Sequence, residues 1–173
     1  MANVSEVLIS EEQLRQRVKE LGAQITLDYA GESVFLVGIL KGSVPFMADI
    51  MRAINLDVQI DFMQVSSYGG GMRTSGVVKI IKDIDEDITG KNVIIIEDIM
   101  DSGLTLDYLR TYLAGRGCKT LKICTMLDKP SRRKVDITPD YCGFEVDDLF
   151  IVGYGLDLDQ SYRNLPYISW IKE

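Results

Sequence analysis

No histidine occurs in the 173-residue sequence, and this absence removes several classes of active site. A chain without imidazole cannot build a Ser-His-Asp triad, a Cys-His nucleophile pair or a histidine-bound zinc or iron centre. Cys118, Cys124 and Cys142 lack C-x-x-C spacing, which argues against a disulfide framework and a thiolate metal site. We expect each of them inside the fold as a small apolar residue. Acid–base and metal chemistry must therefore use carboxylates, lysine, tyrosine or backbone groups.

Basic side chains and long apolar runs are also scarce. The 19 Lys and Arg residues are outnumbered by 26 Asp and Glu, which gives a net charge of −7 and argues against a nucleic-acid partner. The longest apolar stretch, residues 34–40, is far shorter than the ~20 residues of a membrane-spanning helix. Residues 1–10 show no secretory signal pattern. The expectation is a soluble, cytoplasmic protein with no membrane partner, built as one domain of residues 1–173.

The apolar pattern predicts an α/β fold. Ser10 and Gln13 form a capping box in front of a first amphipathic helix. A continuous apolar run at 33–39 is typical of a strand covered on both faces, and Pro45 suits the first turn of the helix that follows. Further strands are predicted at 57–67, 77–82, 93–96, 120–127 and 150–154, and a further helix at 104–114. Alternating strands and helices indicate a mainly parallel twisted sheet flanked by helices.

The segment 93–106 carries the densest set of candidate site residues. Four aliphatic residues lead into Glu97 and Asp98 at the carboxyl end of a buried strand, where open α/β sheets bind ligands. A loop and helix start follow, whose amides and hydroxyls can bind an anion: Asp101, Ser102, Gly103, Leu104 and Thr105. Carboxylates beside an anion site suit sugar hydroxyls or a divalent cation on pyrophosphate. The alternative is an acidic helix N-terminus, but capping requires only one carboxylate.

This segment resembles the phosphoribosyl-pyrophosphate (PRPP) motif of the purine phosphoribosyltransferases, and other segments are similar to that family in the same order. Leu40–Ser43 is similar to the family's short pyrophosphate loop, and a cis peptide is expected there between Lys41 and Gly42. Ser67–Gly76 is similar to the family's mobile loop. Segments 128–133 and 150–157 are similar to the purine-recognising segments of the bacterial hypoxanthine enzymes, and 163–167 is similar to the terminal segment. The resemblance implies the type I phosphoribosyltransferase fold. It also implies a small hood contributed by roughly residues 1–12 and 128–173.

The resemblance implies a division of roles. On the PRPP side, the phosphates would be bound by Lys41, Gly42, Arg163 and residues 102–105, while Glu97 and Asp98 would hold the ribose hydroxyls directly or through Mg²⁺. Ser67 and Tyr68 would be delivered by the mobile loop. On the base side, Asp101 would act at purine N7, with further contacts from Lys129 to O6, from Phe150 by stacking, and from Ile151 and Asp157. Asp157 would also ligate Mg²⁺.

Several of these residues have an ordinary structural interpretation as well. Asp101 can be a helix cap, Lys129 a solvated lysine and Phe150 a core aromatic. Asp157 can belong to a solvated acidic loop.

The predicted function is Mg²⁺-dependent transfer of 5-phosphoribosyl from PRPP to hypoxanthine and guanine, by a homodimer or homotetramer. Two alternatives remain. A PRPP-sensing regulator that binds RNA would require a basic surface, which the acidic composition disfavours. A phosphoribosyltransferase for another base, such as xanthine or a pyrimidine, would share the same motifs.

Overall fold

The computed structural model describes residues 4–67 and 78–172. Its elements in chain order are β1 (Val4–Ile9), α1 (Glu11–Asp28), β2 (Val34–Leu40), α2 (Val44–Ala53), β3 (Val58–Ser67), β4 (Val78–Lys82), β5 (Asn92–Met100), α3 (Leu104–Ala114), β6 (Thr120–Asp128), a 3-10 turn (Pro130–Arg132), β7 (Tyr141–Glu145), β8 (Ile151–Val152) and β9 (Ile168–Ile171). Within these residues, no helix is both long and apolar enough to cross a membrane.

A six-stranded sheet in the order β4-β3-β2-β5-β6-β7 forms the centre of the molecule. All neighbouring pairs are parallel except β3 and β4, which run antiparallel. The predicted α/β fold with a mainly parallel sheet is therefore confirmed. Because side chains alternate along each strand, the sheet buries two separate clusters, one beneath α1 and α2 and the other beneath α3.

The first helix begins as predicted. Ser10 Oγ accepts from the Gln13 amide, and Gln13 Oε1 accepts from the Ser10 amide. The apolar face of α1 and that of α2 meet over the sheet, with Leu14, Val18, Leu21, Ile25, Phe46, Met47 and Ile50 buried. Phe46, Met47 and Ile50 of α2 are therefore part of the core.

A second sheet, in the order β1-β9-β8, is antiparallel and lies outside the main one. Its strands come from the two segments predicted to form the hood, but β7, from the second of those segments, pairs with β6 at the edge of the main sheet. The division into a single domain with a hood stays a prediction. The predicted strand at 150–154 is wrong in extent, because β8 stops at Val152 and positive φ angles follow at Gly153 and Tyr154.

Strand β5 is longer than predicted, since its pairing with β6 continues to Met100 opposite Asp128. Glu97 and Asp98 therefore lie within the strand and not beyond its end. Of the cysteines, Cys124 is buried as predicted, whereas Cys118 and Cys142 are only partly buried, and all three are free thiols.

Candidate active site

Two cavities meet at the edge of the sheet where β2, β5 and β6 end. The first, of about 290 Å³, is lined by residues that include Leu40, Gly42, Val65, Glu97, Asp98, Ser102, Gly103 and Thr105. The second, of about 500 Å³, is lined by residues that include Lys129, Arg132, Asp148, Leu149, Phe150, Ile151, Leu156 and Asp157. Ile99 and Asp101 line both. The two cavities therefore adjoin at Ile99 and Asp101 and are treated as the two halves of one candidate site.

The first cavity contains two carboxylates from neighbouring positions of β5. Glu97 Oε1 accepts from the Asp98 amide at 3.2 Å, and Asp98 Oδ1 accepts from the Ile99 amide at 2.7 Å. Burial raises the pKa of the Glu97 carboxyl well above its ordinary value, and the charge of Asp98 raises it further. Burial also raises the pKa of Asp98, outweighing its hydrogen bonds and the charge of Arg163. Within the described residues, neither carboxylate forms an ion pair.

The first loop lies against these carboxylates. At Gly42, an added Cβ would stand 1.6 Å from Asp98 Oδ2, and at Gly155 an added Cβ would stand 1.9 Å from the Gly42 carbonyl oxygen. The loop is thus held between a carboxylate and the chain that follows β8. The cis peptide joins Leu40 and Lys41, so the expected position, one bond later, is wrong. Neither bond precedes proline, and the sequence therefore has no marker that distinguishes them.

The loop from Asp101 to Gly103 directs the start of α3 towards the first cavity. Gly103 is the N-cap residue, with φ of 81°, and an added Cβ would stand 2.6 Å from Ile137. Gly103 has no capping side chain, and the first amide of α3, that of Leu104, donates to Ser102 Oγ at 3.4 Å. The amides that follow it in the first turn can bind an anion. Ser102, Gly103 and Thr105 line the cavity, whereas Leu104 is not among its lining residues.

The second cavity has a cationic and an aromatic wall. Lys129 is 7% exposed, and its Nζ donates to the Leu149 carbonyl at 2.6 Å. It is therefore not a solvated surface lysine. Phe150 is 52% exposed, so it is not a core aromatic, while the neighbouring Ile151 is buried.

Asp101 joins the halves and bears an ion pair. Its Oδ1 accepts from Arg132 Nε at 3.1 Å, and Arg132 also pairs with Asp148 at 3.3 Å. Arg133 donates to the Asp101 carbonyl at 2.5 Å and pairs with Asp128. Sequence reasoning assigned no role to these two arginines or to Asp148. The signal for the arginines was their place in the segment 128–133, close after Lys129, whereas Asp148 lies outside the segments singled out.

Lys41 and Arg163 bond to the segment that follows β8. Arg163 donates to the Gly155 carbonyl at 2.7 Å and pairs with Asp157 at 2.8 Å. Lys41 Nζ donates to Gln160 Oε1 at 3.2 Å, and Arg163 donates to the same oxygen at 3.3 Å. Neither Lys41 nor Arg163 lines the two cavities.

The predicted metal ligands do not all come together. Asp157 is not grouped with Glu97 and Asp98, and within the described ranges no three acidic or cysteine side chains are placed to hold a metal ion. Ser67 is the last residue of β3, and Tyr68 lies outside the described residues, as does the rest of the predicted mobile loop.

The family model for the phosphoribosyl transferase domain matches residues 6–159 of the chain. The chain belongs to the phosphoribosyltransferase family. The resemblance inferred from the motifs is confirmed.

Relatives of this phosphoribosyltransferase match it along almost its whole length. It is 53% identical over 170 residues to the hypoxanthine-guanine phosphoribosyltransferase of Bacillus subtilis, covering 98% of this chain and 94% of the relative. It is also 53% identical over 171 residues to the enzyme of that name from Streptococcus mutans, covering 99% and 95%. Among solved structures, a hypoxanthine-guanine phosphoribosyltransferase from Bacillus anthracis superposes with a TM-score of 0.95 at 54% identity, covering 98% of this chain and 100% of the other.

Proposed function

We propose that this phosphoribosyltransferase transfers the 5-phosphoribosyl group of PRPP to hypoxanthine or guanine, forming IMP or GMP and pyrophosphate. The observation that carries the proposal is the junction of the two cavities at Asp101. One half offers helix amides and carboxylates to a sugar phosphate, and the other offers a buried ammonium and an exposed ring to a flat base. The names of the relatives support the same substrates.

On the PRPP side, the amides at the start of α3 and the hydroxyls of Ser102 and Thr105 bind phosphate oxygens. The pyrophosphate group is also bound by the Gly42 backbone and by the side chains of Lys41 and Arg163. Both cationic side chains donate to Gln160 Oε1, which holds them next to each other. Glu97 and Asp98 accept hydrogen bonds from the ribose hydroxyls.

A magnesium ion fits the first cavity by its chemistry. Glu97 and Asp98 are buried acceptors without a basic ion-pair partner among the described residues, and carboxylate oxygens suit Mg²⁺. These two side chains would hold the ion, whereas Asp157, which lines the second cavity and pairs with Arg163, is not placed to join them. When bound, Mg²⁺ offsets the negative charge of the departing pyrophosphate.

On the base side, Lys129 donates to the 6-oxo group and Phe150 stacks on the ring. Asp101 accepts the proton at N7 as N9 attacks the anomeric carbon, while the bond to pyrophosphate breaks through an oxocarbenium-like state. A 6-amino group would meet the Lys129 ammonium, donor against donor, so adenine is disfavoured.

We also infer a cytoplasmic homodimer or homotetramer. An interface between copies would have exposed apolar side chains to cover, among them Leu27, Val44, Ile60 and Ile81.

The test is a PRPP-dependent assay with hypoxanthine, guanine, xanthine, adenine and uracil, each with Mg²⁺ or with excess chelator. Nucleotide should form from hypoxanthine and guanine, with adenine and uracil lower in kcat/KM by roughly 10²-fold or more. Full turnover in chelator would overturn the magnesium assignment. A preference for uracil would overturn the base assignment, and PRPP binding without transfer to any base would indicate a regulator instead.

A further inference from the structure

Arg132 and Asp148 connect the two groups that the proposed function assigns to the base. Arg132 Nε donates to Asp101 Oδ1 at 3.1 Å, and its Nη1 donates to Asp148 Oδ2 at 3.3 Å. The other oxygen of Asp148 lies 3.8 Å from Lys129 Nζ. A continuous chain of alternating charges therefore runs from Asp101 to Lys129 along the wall of the second cavity.

The chain joins three loops that are distant in sequence. Asp101 follows β5, Arg132 ends the 3-10 turn after β6, and Asp148 lies between β7 and β8. All of its members line the second cavity. The Arg132 side chain is 50% exposed, so it is not an element of the core.

Arg133, the next residue, has a structural role and provides a comparison for Arg132. Its side chain is 13% exposed, it pairs with buried Asp128, and it donates to the main-chain carbonyl of Asp101. Arg133 thus holds the backbone of the loop, while Arg132 reaches only the carboxylate.

We propose that Arg132 is a positioning residue for Asp101. Its fork binds one carboxylate oxygen and is itself held by Asp148, which a planar guanidinium can do with two separate N–H groups. Within the described residues, no hydrogen bond reaches the other oxygen, Asp101 Oδ2. One oxygen is fixed and the other is left for the base. This inference rests on the proposed function, in which that oxygen acts at N7.

The ion pair with Arg132 would favour catalysis by fixing the orientation of the Asp101 carboxylate. An Asp101 carboxylate without Arg132 samples further rotamers, and the fraction of complexes with an oxygen correctly placed falls. The loss should therefore appear in kcat. Binding of PRPP, whose contacts lie in the first cavity, should hardly change.

The experiment compares Arg132→Gln, Arg132→Lys and a matched control, Arg110→Gln. Arg110 also forms a part-exposed ion pair, with Asp107 at 2.7 Å on α3, but does not line either cavity. The kcat and the KM values for hypoxanthine and PRPP are measured at low and high salt. We expect R132Q to lower kcat about 3- to 10-fold, as a half-exposed pair allows, with the KM for PRPP unchanged within about 2-fold.

Two further measurements distinguish a positioning role of Arg132 from a merely structural one. R132K, which keeps the charge but not the fork, should lie between wild type and R132Q, and R110Q should match wild type. High salt weakens the ion pair, so the gap between wild type and R132Q should narrow. If R132Q were poorly folded, the kcat of R132K and the salt dependence of that kcat would test the positioning role instead.

The outcomes are distinct. Wild-type kcat in R132Q overturns the inference, as does a change confined to the KM for hypoxanthine, which would make Arg132 a direct contact of the base. An equal loss in R110Q also overturns it. A wild-type protein that transfers phosphoribosyl to no base overturns the proposed function and this inference together, whereas an active wild type with an unaffected R132Q overturns the inference alone.

Discussion

Gly42 and Asp98 are in direct contact, with no room for a side chain between them. A Cβ on Gly42 would stand 1.6 Å from Asp98 Oδ2, a separation that non-bonded atoms do not reach. The contact joins the first loop, after β2, to a carboxylate carried by β5. A substitution that widens the contact between Gly42 and Asp98 would therefore shift both the first loop and the Asp98 carboxylate.

Gly42→Ala should therefore lower the affinity for PRPP by roughly 10- to 100-fold, because a shift of about 1 Å misplaces the groups that bind it. Isothermal titration with PRPP and Mg²⁺ measures this change. Gly115→Ala is the control, since Gly115 has an ordinary φ of −64° and its added Cβ meets no atom nearer than 3.5 Å. Equal PRPP affinity in both variants would contradict the packing argument.

The buried carboxylates predict a pH-dependent cost in stability. The pKa of folded Glu97 is raised above its ordinary value of 4.5, so the unfolded state ionises first as pH rises. Between the two values, unfolding releases a proton, and the stability contributed by this group falls as pH increases. Below 4.5 both states are protonated and the difference disappears.

Glu97→Gln should accordingly raise the Tm of the ligand-free protein at pH 8, and the gain should shrink to nothing near about pH 4. Gln keeps an oxygen to accept from the Asp98 amide, so the local hydrogen bond survives. Thermal unfolding across the pH range measures the difference, with exposed Glu86→Gln as the control. A Tm gain that grew towards acid pH would show the opposite sign and contradict the burial argument.

Asp101→Asn should lower kcat by roughly 10²–10⁴, the usual worth of general acid–base catalysis. Asn retains an oxygen for Arg132 Nε, and the fold should therefore be unaffected. Steady-state kinetics with saturating PRPP provide the measurement, and Asp107→Asn, at the remote pair with Arg110, provides the control. A near-normal kcat would remove the proton-transfer role.

Lys129→Ala should raise the KM for hypoxanthine and narrow the preference over adenine, since the ammonium that distinguishes an oxo from an amino group is lost. PRPP affinity should stay within about 2-fold of wild type, because its contacts lie in the other cavity. The comparison requires both bases with each protein. Lys119→Ala, at the opposite ends of the strands and paired with Glu32, should leave the ratio unchanged. An unchanged ratio in the Lys129 variant would contradict its recognition role.

Local patterns explain which parts of the fold were predictable. The helix at 104–114 has the predicted bounds, and the capping box at Ser10 marks the start of α1. Strands β1 and β9 were missed because each pairs with a segment at the other end of the chain, as Val4 does with Ile171. β7 was missed as well, although it pairs with the preceding strand, β6. β5 was predicted too short because its pairing with β6 continues beyond the apolar run.

The site divides in the same way. Residues 97–105 are contiguous, so the strand-to-helix pattern was sufficient to find them. Arg132 and Asp148 come from separate loops, and their contact with Asp101 is a property of the assembled fold that neither local segment encodes. The sequence also could not show that Asp157 forms an ion pair with Arg163. Nor could it show that Asp157 is not grouped with Glu97 and Asp98.

The close approach of Gly155 to the carbonyl oxygen of Gly42 has a consequence for how this enzyme can be redesigned. Main chain meets main chain there, so the contact leaves no room for a side chain at Gly155. The wall of the second cavity, by contrast, consists largely of side chains carried on loops. A library that varies those loop positions can therefore explore new acceptor bases while the phosphoribosyl donor keeps its place, and the two glycines belong outside any such library.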